Sequence, residues 1–451
     1  MRTVLIIAGS DPSAGAGCQQ DLKVVTLMGV YGLTVLTAIT VQNSLGVQRC
    51  EPLPADLVAA QLGAIVNDLQ VDAVKIGMLA TAEITRQVAA VLRQVPAPIV
   101  VDPVLAASDG SPLLEEAAVE VLKKELLPLA AVVTPNLAEA GQLTGRQITD
   151  VAGMTAAAQE LLHLGPKAVL IKGGHLVGPP VDVLADGHAV YHLAGQRWAS
   201  RHTHGTGCAL ASALAASLAQ GRSLPEAVNQ ARELVAEAIR WGLPLGQGRG
   251  PVHTAAPFVR QTERYHVLQA LATAARRLQE SDITDLIPEV QSNLGYATVY
   301  PRDEGDVAAF PGRLLRTPQG LLIPREPAFG ASRHIAAIIL TATRFFPALR
   351  AAMNIRYFDA VEQLAPLLHL QVAHFDRAQE PPEIKAREGG TLAWGVASVL
   401  RGGKPPPDLI YDRGDWGKEA MIRVLGTEPM AVVAKVLALH QALQAGGSSS
   451  R

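Results

Sequence analysis

Only three cysteines occur in the chain, Cys18, Cys50 and Cys208, and no two stand at C-x-x-C spacing. So sparse and odd a set excludes a disulfide framework and a thiolate zinc site, and a reducing cytosol suits it best. Aromatic residues are scarce at 4%, while 49% of the chain is apolar, so the core must be Ala, Leu, Val and Ile packed on small-residue helices, a habit of α/β enzymes. An excess of one charge is also missing. Lys plus Arg number 39 against 41 Asp plus Glu, which argues against a general nucleic-acid or acidic-membrane surface and leaves any anion to be met by local groups. No apolar run reaches the length of a membrane span, and the opening stretch from Met1 to Ser10 is too short for a signal peptide and reads as a buried strand. There is no internal repeat and no heptad array.

What is present is alternation. Val- and Ile-rich runs at Thr3–Ala8, Leu33–Val41, Ala73–Ile76, Ile99–Val101, Ala131–Val133 and Ala168–Ile171 alternate with helical patterns such as Leu57–Leu69 and Ala117–Leu126. That order predicts a mostly parallel sheet flanked by helices. Turns follow several of the strands, at Gly9–Pro12, Asp102–Pro103, Thr134–Asn136 and Lys172–His175. Ligands of open α/β sheets sit beyond the carboxyl ends of strands, so these turns are expected around one cleft. A chain of 451 residues calls for two or three domains. Glycine and proline crowd residues 242–262, which read as the exit from a first domain, and a helix over Val267–Leu278 opens the next. The expected division is 1–258 and 259–445, with a disordered tail from Gly446 to Arg451.

The most telling chemistry lies at His204-Gly-Thr-Gly-Cys208, a glycine-rich loop that opens a helix. Backbone N–H groups and the positive helix end converge there on an anion such as phosphate, and a thiol in that position is biased towards thiolate. An anion hole beside a proton acceptor is what phosphoryl transfer to an alcohol needs. The plainer alternative is a helix that starts on small residues for close packing. Gly15-Ala-Gly17 invites a dinucleotide reading, but Gln20 occupies the third glycine position, and no G-x-x-x-x-G-K-[ST] run exists. Asp21 and Gln42 offer an acceptor and an amide able to read a heteroaromatic ring bearing an amine. Cys18 and Cys50 lack basic neighbours and read as structural; Asp102-Pro103 reads as a strand end.

Taken together, Ala8–Asp21, Gln42-Asn43, Lys75-Ile-Gly-Met78, Thr134-Pro-Asn136 with Glu139, Lys172-Gly-Gly-His175 and His204–Cys208 resemble the hydroxymethylpyrimidine/phosphomethylpyrimidine kinases, of the ribokinase-like superfamily. The resemblance runs over residues 1 to about 258. It implies that Asp21 and Gln42 hold the aminopyrimidine in a pocket lined by Met78 and Val104. Asn136 and Glu139 would organise Mg²⁺ and water near the ATP phosphates, with Glu139 the metal residue, and Lys172 would reach those phosphates. Gly205, Thr206 and Gly207 would form the anion hole, and Cys208 would take the hydroxymethyl proton. A pyridoxal-phosphorylating branch shares much of this framework.

Past residue 265 the charge pattern changes to short arginine signals, among them Pro311-Gly-Arg313, Arg333-His334, Asn354-Ile-Arg356 and Asp376-Arg377. Arginine forks beside turns suit phosphate or diphosphate, whereas singly they are as well read as solvated surface residues. With Asp415-Trp-Gly-Lys-Glu419 the set resembles the ThiN-type thiamine-phosphate synthase domain, an α/β three-layer fold, over about residues 265–443. That implies catalytic roles for Arg313 and His334 at a departing diphosphate. The thiazole partner carries its own phosphate, so basic groups such as Arg356, Arg377 or Lys418 are candidates to meet it, and Mg²⁺ is expected to bridge the diphosphate by analogy with other diphosphate leaving groups. Related domains that only sense thiamine phosphate lack the arginine, so Arg313 favours an enzyme. The combined resemblance implies a cytoplasmic bifunctional enzyme, a homodimer by family habit, with small-molecule substrates including ATP and no nucleic-acid or membrane partner.

Overall fold

The computed structural model describes residues 1–107, 110–385, 390–402 and 405–448. Two compact units emerge, Met1–Pro257 and Phe258–Arg451. In the first, nine strands form one sheet: β1 (Thr3–Ser10), β2 (Tyr31–Asn43), β3 (Gly46–Pro52), β4 (Ala73–Ile76), β5 (Ile99–Val101), β6 (Val132–Val133), β7 (Ala168–Ile171), β8 (Val181–Asp186) and β9 (Val190–Ala194). Their order is β3-β2-β1-β4-β5-β6-β7-β8-β9. From β2 to β7 neighbours are parallel, and β3, β8 and β9 join antiparallel.

The central strands are apolar throughout because both faces are covered, as parallel sheets require. One face packs on the helices Ala55–Val66, Ala82–Leu92 and Val151–Leu162, in a cluster that includes Leu62, Val88, Met154 and Leu161. The helix Thr206–Ala219 is buried on nearly every side, which its run of Ala and Ser permits. Register is what places the site. Ile7 pairs with Ile76, Ile76 with Val101, Val101 with Val133 and Val133 with Val169, so these strands end along a single line. Asp11, Gly77, Asp102, Thr134 and Lys172 therefore leave the sheet on the same edge.

Three expectations are corrected here. The antiparallel edge strands β3, β8 and β9 escaped the periodicity reading, since they are short or partly exposed and alternate weakly. Residues 242–256 do not leave the first unit. They pack into it: the Arg249 amide donates to the Ser44 carbonyl, Gly250 N–H to His202 Nδ1, and His204 bridges to Pro251. The final helix, Pro429–Ser448, runs into the glycine-serine tail expected to be disordered, whose last residues 449–451 lie outside the described chain.

The second unit is mostly antiparallel. Its strands are β10 (Leu294–Ala297), β11 (Val307–Ala309), β12 (Leu315–Thr317), β13 (Gly320–Leu322), β14 (Ala328–Phe329), β15 (Ala351–Arg356), β16 (Val372–His374), β17 (Leu409–Asp412) and β18 (Met421–Gly426). Seven of these make a sheet in the order β14-β11-β10-β15-β18-β17-β16, with only β16 and β17 parallel, and β12-β13 form a separate ribbon. One face carries the helices Arg264–Gln279 and Pro429–Ser448, and the other Arg333–Phe345 and Gly390–Leu400, each with its own apolar cluster. That is three layers.

Candidate active sites

Two loops interlock at the sheet edge of the first unit. Gly205, with φ +80°, caps the helix Thr206–Ala219, and a Cβ there would lie 1.7 Å from the Gly15 carbonyl oxygen. A Cβ on Gly15 would in turn lie 2.2 Å from His204 Cδ2. Only glycine admits so close an approach of two backbones. His204 Nε2 meets Asp11 Oδ2 at 2.9 Å, and Asp11 also accepts from Ser13 and from the Ala16 amide. Burial works against the Asp11 charge, yet these partners bring its carboxyl down to about 2. The first N–H groups of the Thr206 helix have no intrahelical acceptor, and of these the Thr206 N–H donates to the Thr203 carbonyl at 3.3 Å.

Beneath them lies a buried cation. Lys172 Nζ donates to Asp102 Oδ1 at 2.8 Å and stands 3.9 Å from Glu139 Oε2. A Cβ on Gly207 would sit 3.2 Å from that Nζ and 3.3 Å from Asp102 Oδ2, so the glycine leaves the pair open to the helix N-terminus. Asn136 and Glu139 form a capping box on the helix Leu137–Thr144, with Asn136 Oδ1 accepting from the Glu139 amide and Glu139 Oε2 from the Asn136 amide. Burial pushes the Glu139 carboxyl up to about 7, against the pull of Lys172. Asp102, read from sequence as a strand end, is thus the central acid of the group. No residue pattern around Asp102-Pro103 signals this, because its partner Lys172 is 70 residues away.

Cys208 stands in the first turn of the helix, but its ionisation corrects the expectation. Burial pushes the thiol up to about 12; Lys75 pulls the other way, Asp21 and Asp102 add to the rise, and the Gly17 N–H lowers it. Desolvation outweighs the helix end, so the resting site holds a neutral thiol. Asp21 is also placed differently. It is fully buried, with Oδ2 on Lys75 Nζ at 2.6 Å and Oδ1 on Ser212 Oγ at 2.7 Å. Both carboxylate oxygens are engaged inside the protein, so they do not face an incoming ring. Ser212 lies one turn after Cys208 on the same helix face, which sets Lys75 below the thiol. Lys75 carried no sequence-based role.

The remaining residues divide by side chain. Gln42 borders a cavity of about 230 Å³ shared with His204, Ala107 and Arg249, and its Nε2 lies 3.4 Å from His204 Nε2. Met78 and Val104 meet in one small apolar cluster with Ala38 and Ala80, and the Met78 carbonyl accepts from Thr37. Thr206 turns its hydroxyl to the Thr203 carbonyl at 2.7 Å, so its side chain holds the loop and does not reach an anion. Cys18 is buried and its thiol is pushed up to about 11 by burial and Asp21.

In the second unit Arg313 occupies left-handed backbone (φ +69°), is exposed, and donates to the Val290 carbonyl. His334 is exposed in the first turn of the helix Arg333–Phe345, which Ser332 caps. β11 and β14 are antiparallel, so Arg313, beyond the end of β11, and His334, beyond the end of β14, leave by opposite ends of that ladder. Among the described residues no hydrogen bond or ion pair joins them. Arg377 and Asp412, by contrast, are buried together with Arg423.

With that geometry established, the chain can be compared with known proteins. The phosphomethylpyrimidine kinase family model matches residues 11–253. The chain belongs to this family. Residues 270–438 match the family model of thiamine-phosphate synthase ThiN. The hydroxymethylpyrimidine/phosphomethylpyrimidine kinase of Streptomyces coelicolor is 50% identical over 249 residues, 55% of this chain and 93% of that protein. The thiamine biosynthesis bifunctional protein ThiED of Geobacter sulfurreducens is 49% identical over 253 residues, but these span only 52% of its length. The pyridoxal kinase of Staphylococcus aureus, solved in complex with AMP-PCP and pyridoxal, superposes with a TM-score of 0.54 at 39% identity, over 57% of this chain and 94% of that one. The first unit is accordingly a ribokinase-like α/β kinase fold. No helix among the described residues is long and apolar enough to cross a membrane.

Proposed function

We propose that the chain is a bifunctional enzyme of thiamine biosynthesis. Its first unit uses ATP to phosphorylate hydroxymethylpyrimidine and then the resulting monophosphate. The second joins the diphosphate to thiazole phosphate and releases thiamine phosphate and pyrophosphate. One observation carries the kinase half: the open N-terminus of the Thr206 helix, the Lys172–Asp102 pair and the Cys208 thiol share one edge of the sheet.

Chemically, the amides of Gly205 and Gly207 donate to phosphate oxygens, while the Thr206 amide and hydroxyl hold the Thr203 carbonyl, and Lys172 supplies countercharge to the transferred group. Cys208 is the residue assigned to take the hydroxymethyl proton, which it can do only after its own thiol proton has left to solvent, a loss that burial opposes and Lys75 assists. Gln42 reads the ring from the rim, and Met78 with Val104 offers it an apolar surface. Asp102 and Glu139 both face Lys172, and among the described residues no group of three or more His, Cys, Asp or Glu could cage a metal. Two carboxylates beside a phosphate site are the hard oxygen donors that suit Mg²⁺, so Asp102 and Glu139 would hold it. When bound, that ion neutralises charge on the phosphate oxygens. In the second unit Arg313 and His334 are assigned to the departing diphosphate on the resemblance to the ThiN domain, and not on proximity, since they leave by opposite ends of the β11–β14 ladder. The enzyme is cytoplasmic and pairs as a homodimer, which light scattering tests.

The direct test gives the purified chain hydroxymethylpyrimidine, thiazole phosphate and Mg-ATP and looks for thiamine phosphate. No phosphorylated pyrimidine would defeat the kinase half; phosphorylated pyrimidine without thiamine phosphate would defeat the synthase half. The likeness to a pyridoxal kinase favours a second reading, in which pyridoxal is the alcohol. Faster phosphorylation of pyridoxal than of hydroxymethylpyrimidine under equal conditions would establish it.

A further inference from the structure

The start of β10 and the end of β11 lie side by side because the strands are antiparallel, with Tyr296 beside Ala308. Beyond that ladder the two segments stay joined. The Leu314 amide donates to the Ser292 carbonyl at 2.8 Å, the Ser292 amide to the Leu314 carbonyl at 3.3 Å, and the Arg316 amide to Gln291 Oε1 at 2.8 Å. Asn293 Oδ1 accepts from the Phe310 amide and its Nδ2 donates to the Phe310 carbonyl, each at 3.0 Å. Gln291 and Arg313 flank this bridge, and both take left-handed backbone, at φ +68° and +69°. A residue other than glycine stays in that region only where its surroundings over-determine it, and such positions gather at functional sites.

A third segment locks the first two. Ahead of β18 the chain makes a tight turn in which the Asp415 amide donates to the Lys418 carbonyl at 3.1 Å and the Lys418 amide to the Asp415 carbonyl at 2.8 Å. Gly414 and Gly417, at φ +82° and +70°, permit it, and a Cβ on Gly414 would lie 2.5 Å from the Lys418 carbonyl oxygen. The turn delivers Glu419 to the residues that precede β10. Glu419 Oε1 accepts from the Glu289 amide at 3.1 Å and Oε2 from the Val290 amide at 3.2 Å. Successive amides that converge on one carboxylate are held by charge-assisted bonds. Val290 then presents its carbonyl to the Arg313 guanidinium, which donates to it through Nη1. Among the described residues Arg313 joins no carboxylate directly. A carboxylate set on the fork would cancel the charge that a diphosphate needs, whereas a carbonyl aims the fork and leaves its charge intact.

We propose that Glu419 is the positioning residue for Arg313: by clamping the Glu289 and Val290 amides it fixes the carbonyl that aims the guanidinium. Glu419 touches no substrate and acts only through the backbone between them. The role deepens the synthase reading and rests on it for what Arg313 meets, the departing diphosphate.

The test is condensation by the full chain from supplied pyrimidine diphosphate and thiazole phosphate. Glu419→Gln leaves one acceptor oxygen for two amides and should lower kcat/KM for the pyrimidine diphosphate by about tenfold or more, as a misplaced charged group does. Glu419→Asp keeps the charge on a shorter arm, should fall between parent and Glu419→Gln, and serves if the latter does not fold. A double-mutant cycle separates positioning from a merely structural role. In an Arg313→Ala background Glu419→Gln should cost less than about twofold, because no guanidinium is left to aim. The same loss in both backgrounds, or the parent rate in both Glu419 variants, overturns the proposal. Pyrophosphate binding, measured by calorimetry with AMP-PCP filling the kinase site, judges the synthase reading separately. Affinity that falls alike in Arg313→Ala, Glu419→Gln and their double variant, in a chain that makes no thiamine phosphate, keeps the coupling and loses that reading. Synthesis of thiamine phosphate that is indifferent to Glu419 keeps that reading and loses the coupling.

Discussion

The two units balance their buried cations in different ways. In the first, a glycine-opened helix N-terminus stands beside two lysines that each have their own carboxylate: the buried Lys75 with Asp21 and the largely buried Lys172 with Asp102. In the second, the buried cations are guanidinium groups, and a single Asp412 serves both Arg377 and Arg423. The first arrangement is neutral at rest and depends on backbone shape. The second retains positive charge and depends on side-chain direction. Backbone shape needs glycine at fixed positions, so the first design leaves a readable motif, whereas an arginine fork can be supplied from many places on a fold.

The separation of the two chemistries is the first thing to break. Cys208→Ala should slow ATP-dependent phosphorylation by about a hundredfold or more while condensation from supplied pyrimidine diphosphate continues at the parent rate. Arg313→Ala should do the reverse, by a factor also on the order of a hundred. Product formation in coupled and uncoupled assays reads both, and an equal loss of the two activities in either variant would contradict independent sites.

Next comes the cost of unpairing a buried charge. Lys75→Met leaves Asp21 buried without its cation and should destabilise the first unit by about 3–5 kcal/mol. Joining it to Asp21→Asn should restore much of that, as read in urea unfolding midpoints. A single variant as stable as the parent would mean that the pair is not buried as described. Gly205→Ala should cost about 1–3 kcal/mol and raise the KM for ATP, since the new Cβ collides with the Gly15 carbonyl.

The smallest expected effect is a slope. The Glu139 carboxyl ordinarily sits at 4.5 and is raised to about 7 by burial, so the folded chain holds a proton that the unfolded chain releases between those values. Its contribution to stability is complete below about 4.5 and is lost as pH rises through about 7. Glu139→Gln should flatten that part of the stability profile. Unfolding midpoints at about pH 5 and about pH 8 would show it, and an identical slope in parent and variant would remove Glu139 as its source.

Much of the first site was legible. The glycines at 15, 205 and 207 stand in short-range patterns, Asn136, Glu139 and Lys172 were named through the family resemblance, and parallel register aligns the strand ends beside them. The role of Asp21 was misread because its chemistry depends on Lys75, 54 residues away, and on Ser212, 191 residues away. The ionisation of Cys208 was misread for a related reason: a helix end is visible in a sequence, but the burial that outweighs it is not. The second unit was harder still, since its strands are two to six residues long and carry little periodicity of their own.

The alternating strands and helices of the first unit, the likeness to two families and the position of the glycine-rich loop were open to a reader of residues alone, because each is written in neighbours a few positions apart. Which acids met which bases was settled by folding. Asp102 found Lys172, and Asp412 found two arginines, only when strand ends and loops distant in the chain came together out of water. Burial then fixed the charges, since taking ions from water makes every partner, or missing partner, count.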